Sequence, residues 1–319
     1  MKAAVVHTFD LAPRFDEFPA PSALIDHQLV VDVLAAGLHP RVRSQADGSH
    51  YTSTGVLPLV PGVDGVGRGS DGLLRYFVLG DTTLGSLAEQ TVIDTRRSVV
   101  LPEGSDPVSV AAAMNPVMSS WLALRRRIPF EAGQSVLVLG ATGSAGRMAV
   151  QVAARLGASR IVAAGRDAAT LSELHHFGAD DVVSLAGDSV EVARRVGAAA
   201  SDVDVVLDYV WGEPASAAMT GIVTQRADRG IPLAWVQIGS VAGPTAGIPS
   251  AALRSSKLSI VGSGQGSVST RDILAELADI AAAITAGGFE VDPLTVPLSD
   301  VEQAWTDAPL ARRRIVIVP

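Results

Sequence analysis

Cysteine is absent from all 319 residues, which excludes disulfide staples and thiolate metal ligands together. Lysine is almost absent too, since 23 of the 25 basic residues are arginine. Those arginines gather only in two triplets, 125–127 and 312–314, and the net charge is −8. A nucleic-acid partner is therefore not expected. Apolar residues make up 48% of the chain, yet no uninterrupted run approaches the length of a membrane span. The opening MKAAVVHTFD lacks a signal peptide's long apolar region and passes straight into a strand-like pattern. A cytoplasmic location with no membrane partner is the expectation. At this length one large or two ordinary domains have ample core to fold independently.

What is present is concentrated between residues 135 and 167. A buried apolar strand at 136–139 runs into the turn Gly140-Ala141-Thr142-Gly143-Ser144-Ala145-Gly146, an apolar-periodic helix follows, and a second buried strand at 160–164 ends at Gly165-Arg166. This is the pattern of a dinucleotide-binding βαβ unit. Glycines let the backbone turn tightly beside a pyrophosphate, and the helix start offers unpaired N–H groups to it. Gly140, Thr142, Gly143, Ser144, Ala145 and Gly146 are accordingly expected to bind cofactor. Where an NAD site places an acid at the end of the second strand, this chain has Gly165. Next comes Arg166, whose fork suits a 2′-phosphate. NADPH is the expected cofactor, although Asp167 could pair with Arg166 or reach the ribose itself.

Before this unit, residues 1–117 read as short alternating strands, such as 29–35 and 74–79, separated by Gly, Pro and Asp turns. After 118, strands at 136–139, 160–164, 181–184, 203–207, 233–238 and 259–261 alternate with helical patterns, the last over 270–286. Six strands with crossover helices imply a doubly wound parallel sheet. The tail from 294 to 319 returns to short strands around a helix at 299–306 and is expected to fold back onto the N-terminal part.

Five stretches, VVDVLAAGLHP (30–40), LPLVPGVDGVG (57–67), GSLAEQTV (85–92), AAAMNPVMSSWLAL (111–124) and the glycine turn, carry a resemblance over essentially the whole length. The chain resembles the medium-chain dehydrogenase/reductase superfamily and, within it, the zinc-independent quinone oxidoreductase (zeta-crystallin-like) group. The fold this implies is α/β: a Rossmann sheet at 118–281 inserted in a β-rich GroES-like domain at 1–117 and 282–319. The resemblance further implies that Asn115, Ser119, Val210, Ile238, Gly239 and Ser263 adjoin the cofactor. Asp208 is read as structural, orienting the turn around Val210, and Trp121 as core or cleft wall.

The superfamily's alcohol dehydrogenases hold zinc with two cysteines and a histidine. The matching places here are His39, Val63 and the region of Met114 and Asn115, which do not make a zinc site. No bound metal is expected. Hydride transfer to an already electrophilic small molecule then needs mainly positioning and a proton. The expected function is reduction of quinones or other activated alkenes and carbonyls. The alternatives are a 2-enoyl or alkenal reductase on acyl-type substrates, and a non-catalytic NADPH-binding sensor.

Tyr51 is the candidate proton donor or substrate-orienting hydroxyl, with an ordinary loop tyrosine as the other reading. His39, where quinone reductases carry Asn, either hydrogen-bonds cofactor or substrate or caps the strand end. The loop departs from the family's Asn-Pro-x-Asp opening, reading His39-Pro40-Arg41-Val42, and has Ser44 where many relatives have Tyr. Arg41 and Arg43 are read as solvent-exposed, with an anionic substrate or a cofactor phosphate as the alternative. The apolar strand near 258–261 is the expected edge through which a homodimer forms.

Overall fold

The computed structural model describes residues 1–50, 53–264, 266–307 and 313–319. The chain divides into two compact units, one made of 1–115 with 274–319 and the other of 116–273.

In the first unit, β1 (Lys2–Val5) pairs antiparallel with β2 (Arg14–Glu17). The long β3 (Gln28–Gly37) alternates as a half-buried strand should, with Val31 and Val33 inside and Asp32 outside. His39 ends the extended run, and Pro40 opens α1 (Pro40–Ala46) at a position where its missing N–H costs nothing. β4 (Asp64–Gly69) and β5 (Leu74–Val78) form an antiparallel pair. β6 (Gln90–Asp94) lies against β3, and β7 (Ser98–Val100) against β5. α2 (Pro107–Leu122) then carries the chain towards the second unit and ends in a π-turn over Ala123–Arg127.

The second unit alternates strictly. β8 (Ser135–Leu139), α3 (Ser144–Arg155), β9 (Arg160–Gly165), α4 (Ala168–Glu173) and β10 (Asp181–Ser184) build one half. α5 (Ser189–Ala200), β11 (Val205–Asp208), α6 (Gly212–Gln225), β12 (Leu233–Gln237), α7 (Ser250–Ser255) and β13 (Leu258–Gly262) build the other. All six strands are parallel, in the order β10-β9-β8-β11-β12-β13. Helices on both faces bury the strands, so β8 and β11 read as unbroken apolar runs rather than alternating ones. The order reverses between β8 and β11, the place where such sheets open a crevice for ligand.

α8 (Thr270–Thr285) leads back to the first unit. There β14 (Pro293–Pro297), α9 (Val301–Asp307) and β15 (Arg314–Val318) complete a seven-stranded mixed sheet. β15 pairs antiparallel with β3 through Val316 with Gly37 and Ile317 with Ala36. The six parallel strands stand where the sequence places them, with ends moved by one or two residues. Just before β11, for example, Asp204 still bonds through its backbone to Ser135 O and Ala234 N, and its carboxylate takes the N–H and hydroxyl of Ser135. The division of the chain falls at 115/116 and 273/274, inside α2 and α8, the same two helices that hold the expected bounds 117/118 and 281/282. Among the described residues no helix is long and apolar enough to cross a membrane.

Candidate functional site

Gly140 follows β8 with φ +87°, a conformation that favours glycine. Its N–H and that of Ala141 both donate to Ala164 O, at 2.8 and 2.9 Å, which ties the turn to the end of β9. Gly143 is the N-cap of α3 and has no side chain with which to satisfy the helix's first amides. Those amides and the positive end of the helix dipole make a site for an anion. Gly146 has no room for a side chain: a Cβ there would lie 2.2 Å from Gly140 O. Gly165 is equally closed, since a Cβ would meet the Thr142 side chain at 2.5 Å. At Gly146 and Gly165 the chain packs closely because neither carries a side chain, and the amides that open α3 are left for a pyrophosphate. The residues present fit a dinucleotide.

Arg166 follows Gly165 with its side chain exposed. The Asp167 carboxylate accepts from Thr170 N at 2.8 Å as the N-cap of α4. The acid that complicates the choice of cofactor is therefore engaged in capping.

The remaining cofactor candidates of this unit, Ser119 apart, lie at the carboxyl ends of the parallel strands. Val210 is two residues beyond β11, Ile238 and Gly239 follow β12, and Ser263 follows β13. Asp208, fully buried, organises the turn as expected. Its Oδ1 accepts from Val210 N (2.8 Å) and Trp211 N (2.9 Å), and its Oδ2 accepts from Trp235 Nε1 (2.9 Å). Burial raises the Asp208 pKa above the ordinary value, opposed by these three donors. Trp211 adopts φ +54° and ψ −159°, a region nearly restricted to glycine, and among the described residues no other non-glycine has positive φ. Nothing in the sequence pattern marks this strain.

Ser119 does not stand open to a ligand. Its hydroxyl donates to Pro116 O at 2.7 Å, leaving its oxygen to accept from Tyr209 Oη at 2.9 Å. Burial pushes the Tyr209 phenol up to about 12, so it stays neutral and able to donate. Trp121 is buried, as a core or wall residue would be, with Arg125 5.8 Å above its ring.

In the first unit the chemistry gathers around a buried carboxylate that the sequence does not single out. Asp64, the first residue of β4, accepts from His39 Nε2 at 3.0 Å and from Tyr76 Oη at 2.7 Å. All three side chains are almost completely enclosed. Burial pushes the His39 pKa below the ordinary value, helped by Arg314 and Arg41 and opposed by Asp64. Burial pulls Asp64 upward, but the bonds from His39 and Tyr76 and the charge of Arg314 outweigh it, and its pKa falls below the ordinary value. The pair is thus a neutral imidazole and a carboxylate. A carboxylate only accepts, so Nε2 carries the proton and Nδ1 keeps its lone pair. Arg314, at the start of β15, donates from Nη2 to Asn115 Oδ1 at 3.4 Å.

Arg43 is not a free surface arginine: its Nη1 donates to Trp305 O and its guanidinium lies 5.1 Å from the Trp305 ring centroid. Packing of α9 against the helix that follows β3 accounts for this, and no local pattern encodes it. Tyr51 lies outside the described residues. Among the described residues no group of three or more His, Cys, Asp or Glu is placed to hold a metal ion.

No protein-family model matches the chain. The chain is 31% identical, over the full length of both proteins, to a probable NADPH-dependent quinone reductase, tdiC, of Emericella nidulans. Among solved structures it superimposes on the quinone oxidoreductase of Thermus thermophilus, studied alone and with NADPH, at TM-score 0.83 and 25% identity, with both chains covered completely. The Escherichia coli quinone oxidoreductase in complex with NADPH shares the fold at TM-score 0.83 and 20% identity, again over the whole of both chains.

Proposed function

This chain belongs to the quinone oxidoreductase group of the medium-chain dehydrogenases/reductases, and from that premise we propose that it is an NADPH-dependent, zinc-independent reductase of quinones and other activated alkenes or carbonyls. The observation that carries the reading is the tight glycine turn with its uncapped helix start at the switch point of the parallel sheet, followed by an exposed Arg166 beside an acid engaged in capping. The turn from Gly140 to Gly146 would hold the pyrophosphate on the amides of α3. Arg166 would take the 2′-phosphate, with Gly165 keeping a competing carboxylate away. Val210, Ile238, Gly239 and Ser263 would line the nicotinamide half, with Asn115 and Ser119 as further contacts, Ser119 after releasing Tyr209. The reduced nicotinamide supplies a hydride when bound.

The chain's own part is to hold an electrophile and manage charge and proton. Tyr51 and His39 are the residues we assign to substrate orientation and proton supply. The geometry of His39 sets a limit: Nε2–H is given to Asp64, so a neutral His39 offers substrate a lone pair rather than a proton. Tyr51 is therefore the better donor of the two. Without cysteine, and with Val63 at a ligand position, the donor set favours a reaction that needs no zinc. A small-molecule electrophile, a cytoplasmic location and a homodimer complete the reading. The missing cysteines place no demand for an oxidising compartment.

The test is to follow NADPH oxidation against 1,4-benzoquinone, 9,10-phenanthrenequinone, an alkenal and a crotonyl thioester, with NADH and a chelator as controls. Turnover of quinone that prefers NADPH and ignores the chelator is expected. Turnover confined to the thioester would make the protein an enoyl reductase. Tight NADPH binding with no oxidation on any acceptor would make it a sensor.

A further inference from the structure

Arg314 is a cation whose donors are left over. It opens β15, and the pairing of that strand with β3 brings it beside His39 and the Asp64 carboxylate. Its Nε–H is closed off from solvent and meets no acceptor among the described residues, and its side-chain bond to Asn115 Oδ1 is long at 3.4 Å. Asp64 does not satisfy it. Both carboxylate oxygens are engaged, by His39 and by Tyr76, and the two charges form no ion pair within 4.0 Å. Burial pushes the Arg314 pKa down to about 10, still well above physiological pH. Native proteins rarely leave a desolvated charged donor unmatched unless something else completes it.

The surroundings indicate what that something is. Gly37 puts no side chain between the imidazole and the guanidinium: a Cβ there would lie 3.1 Å from Ala111 O, 3.6 Å from His39 Cδ2 and 3.7 Å from Arg314 Nε. The imidazole is neutral, so it brings no charge of its own. Arg41 adds positive potential, acting on both His39 and Tyr76. The unfilled valence of this cluster is therefore that of an anion acceptor, bounded by a planar donor fork and an aromatic ring.

We propose that Arg314 is an electrostatic catalyst of the reduction, an oxyanion subsite that receives the negative charge formed on the acceptor's carbonyl oxygen. The inference rests on the reductase reading above. When NADPH gives a hydride to a quinone, the new C–H or O–H bond takes the hydride's electron pair. The conjugated π electrons move onto a carbonyl oxygen, which becomes a phenolate when the hydride lands on the other oxygen, or an enolate that tautomerises to the phenolate when it lands on carbon. One proton from solvent or a donor residue then completes the hydroquinone, and NADP⁺ is the oxidised product. A charge that appears only as the hydride arrives is best met by donors already in place and poorly solvated, because they need no reorganisation. The unmade bond of Arg314 in the resting protein answers that description.

The experiment uses 4-nitrophenol, whose anion absorbs in the visible, as a stable stand-in for the phenolate. Titrated into the full-length protein with NADP⁺ present, it should ionise at lower pH than in buffer. Arg314→Gln should abolish that shift. The same substitution should lower kcat for quinone by roughly 10²–10³-fold, the usual effect of removing one oxyanion donor, with KM for NADPH little changed. Arg314→Lys keeps the charge but not the fork and should fall between. It also serves as the reporting variant should the glutamine form fail to give a native near-ultraviolet circular dichroism spectrum. An unshifted 4-nitrophenol titration in the native protein, or the same shift in both variants, would overturn the assignment. If the protein reduces no quinone but ionises 4-nitrophenol through Arg314, the anion subsite stands and the reductase reading fails. Quinone turnover that survives Arg314→Gln would remove the subsite and leave the reductase.

Discussion

Single residues in this protein are placed where ordinary rules would not put them, and His39 has the clearest consequence. Its folded pKa lies below the ordinary 6.5 because burial disfavours the imidazolium. Below about pH 6.5 the unfolded chain takes up a proton that the folded chain refuses, and stability falls. The contribution is complete above that value and is lost as pH falls through the folded pKa. His50 is shifted the same way, first by burial and then by Arg41. Asp64, also shifted downward, adds a second loss only below about 3.8. Thermal melts between pH 7 and pH 5 should therefore show a falling Tm. His39→Asn should flatten much of that slope, leaving the part due to His50, at a cost of about 1 kcal/mol at pH 7 for the altered bond to Asp64. A variant that loses stability with the same pH slope would mean the native imidazole is already protonated. Trp211 is the other departure, holding a backbone conformation that costs roughly 1–3 kcal/mol. Asp208 maintains it by accepting from the backbone N–H groups of Val210 and Trp211.

At the scale of elements, the decisive contact is that of α3 on β8. Gly146 lets the first turn of the helix rest on the glycine turn itself, and an added methyl would lie 2.2 Å from Gly140 O and 2.6 Å from Ala141 Cα. Both are backbone atoms, so relief requires moving the helix. Gly146→Ala should cost about 1–3 kcal/mol in a urea melt, as overpacking does. It should also weaken NADPH at least ten-fold in a fluorescence titration, because the amides that would meet the phosphate travel with the helix. Unchanged NADPH affinity in a folded variant would show that the cofactor does not rely on this turn. The same contact explains why the second unit was legible. Its strands are buried on both faces, its turn chemistry is local, and each strand–helix–strand step shows its pattern within about thirty positions. The first unit was less so. His39, Asp64, Tyr76 and Arg314 come from four separate stretches and meet through the pairing of β3 with β15, of β3 with β4 and of β4 with β5. The available signals were faint: a lone acid inside the apolar PGVDGVG, and an arginine directly before IVIV. Ser119 was read from likeness as a cofactor contact, and its bond to Tyr209 could not be seen without the approach of α2 to the end of β11.

For the whole molecule, the two edges of the parallel sheet are treated differently, and that asymmetry bears on assembly. At the β10 edge, Asp181 pairs with Arg160 at 2.7 Å, and Arg160 also reaches Asp202 at 3.1 Å, so charge guards the strand. At the β13 edge the strand reads LSIVG, without a charged side chain, and Ser259, Ile260, Val261 and Gly262 are all partly or fully exposed. Arg127 covers only its end, donating from Nε to Gly262 O at 2.6 Å. An uncharged edge with unpaired backbone groups is a surface that solitary proteins avoid and oligomers use. A second copy pairing β13 with β13 would make a two-fold, self-complementary contact, the commonest route to a dimer. Ser259→Lys tests it with little risk to the fold, since Ser259 is exposed. Two-fold pairing would also bring the new charge near its own copy. Sedimentation velocity at micromolar concentration should show a dimer for the native chain and a monomer for the variant, with NADPH affinity preserved. A native chain that sediments as a monomer would leave the open edge without this explanation. A variant that stays dimeric would move the interface elsewhere on the surface.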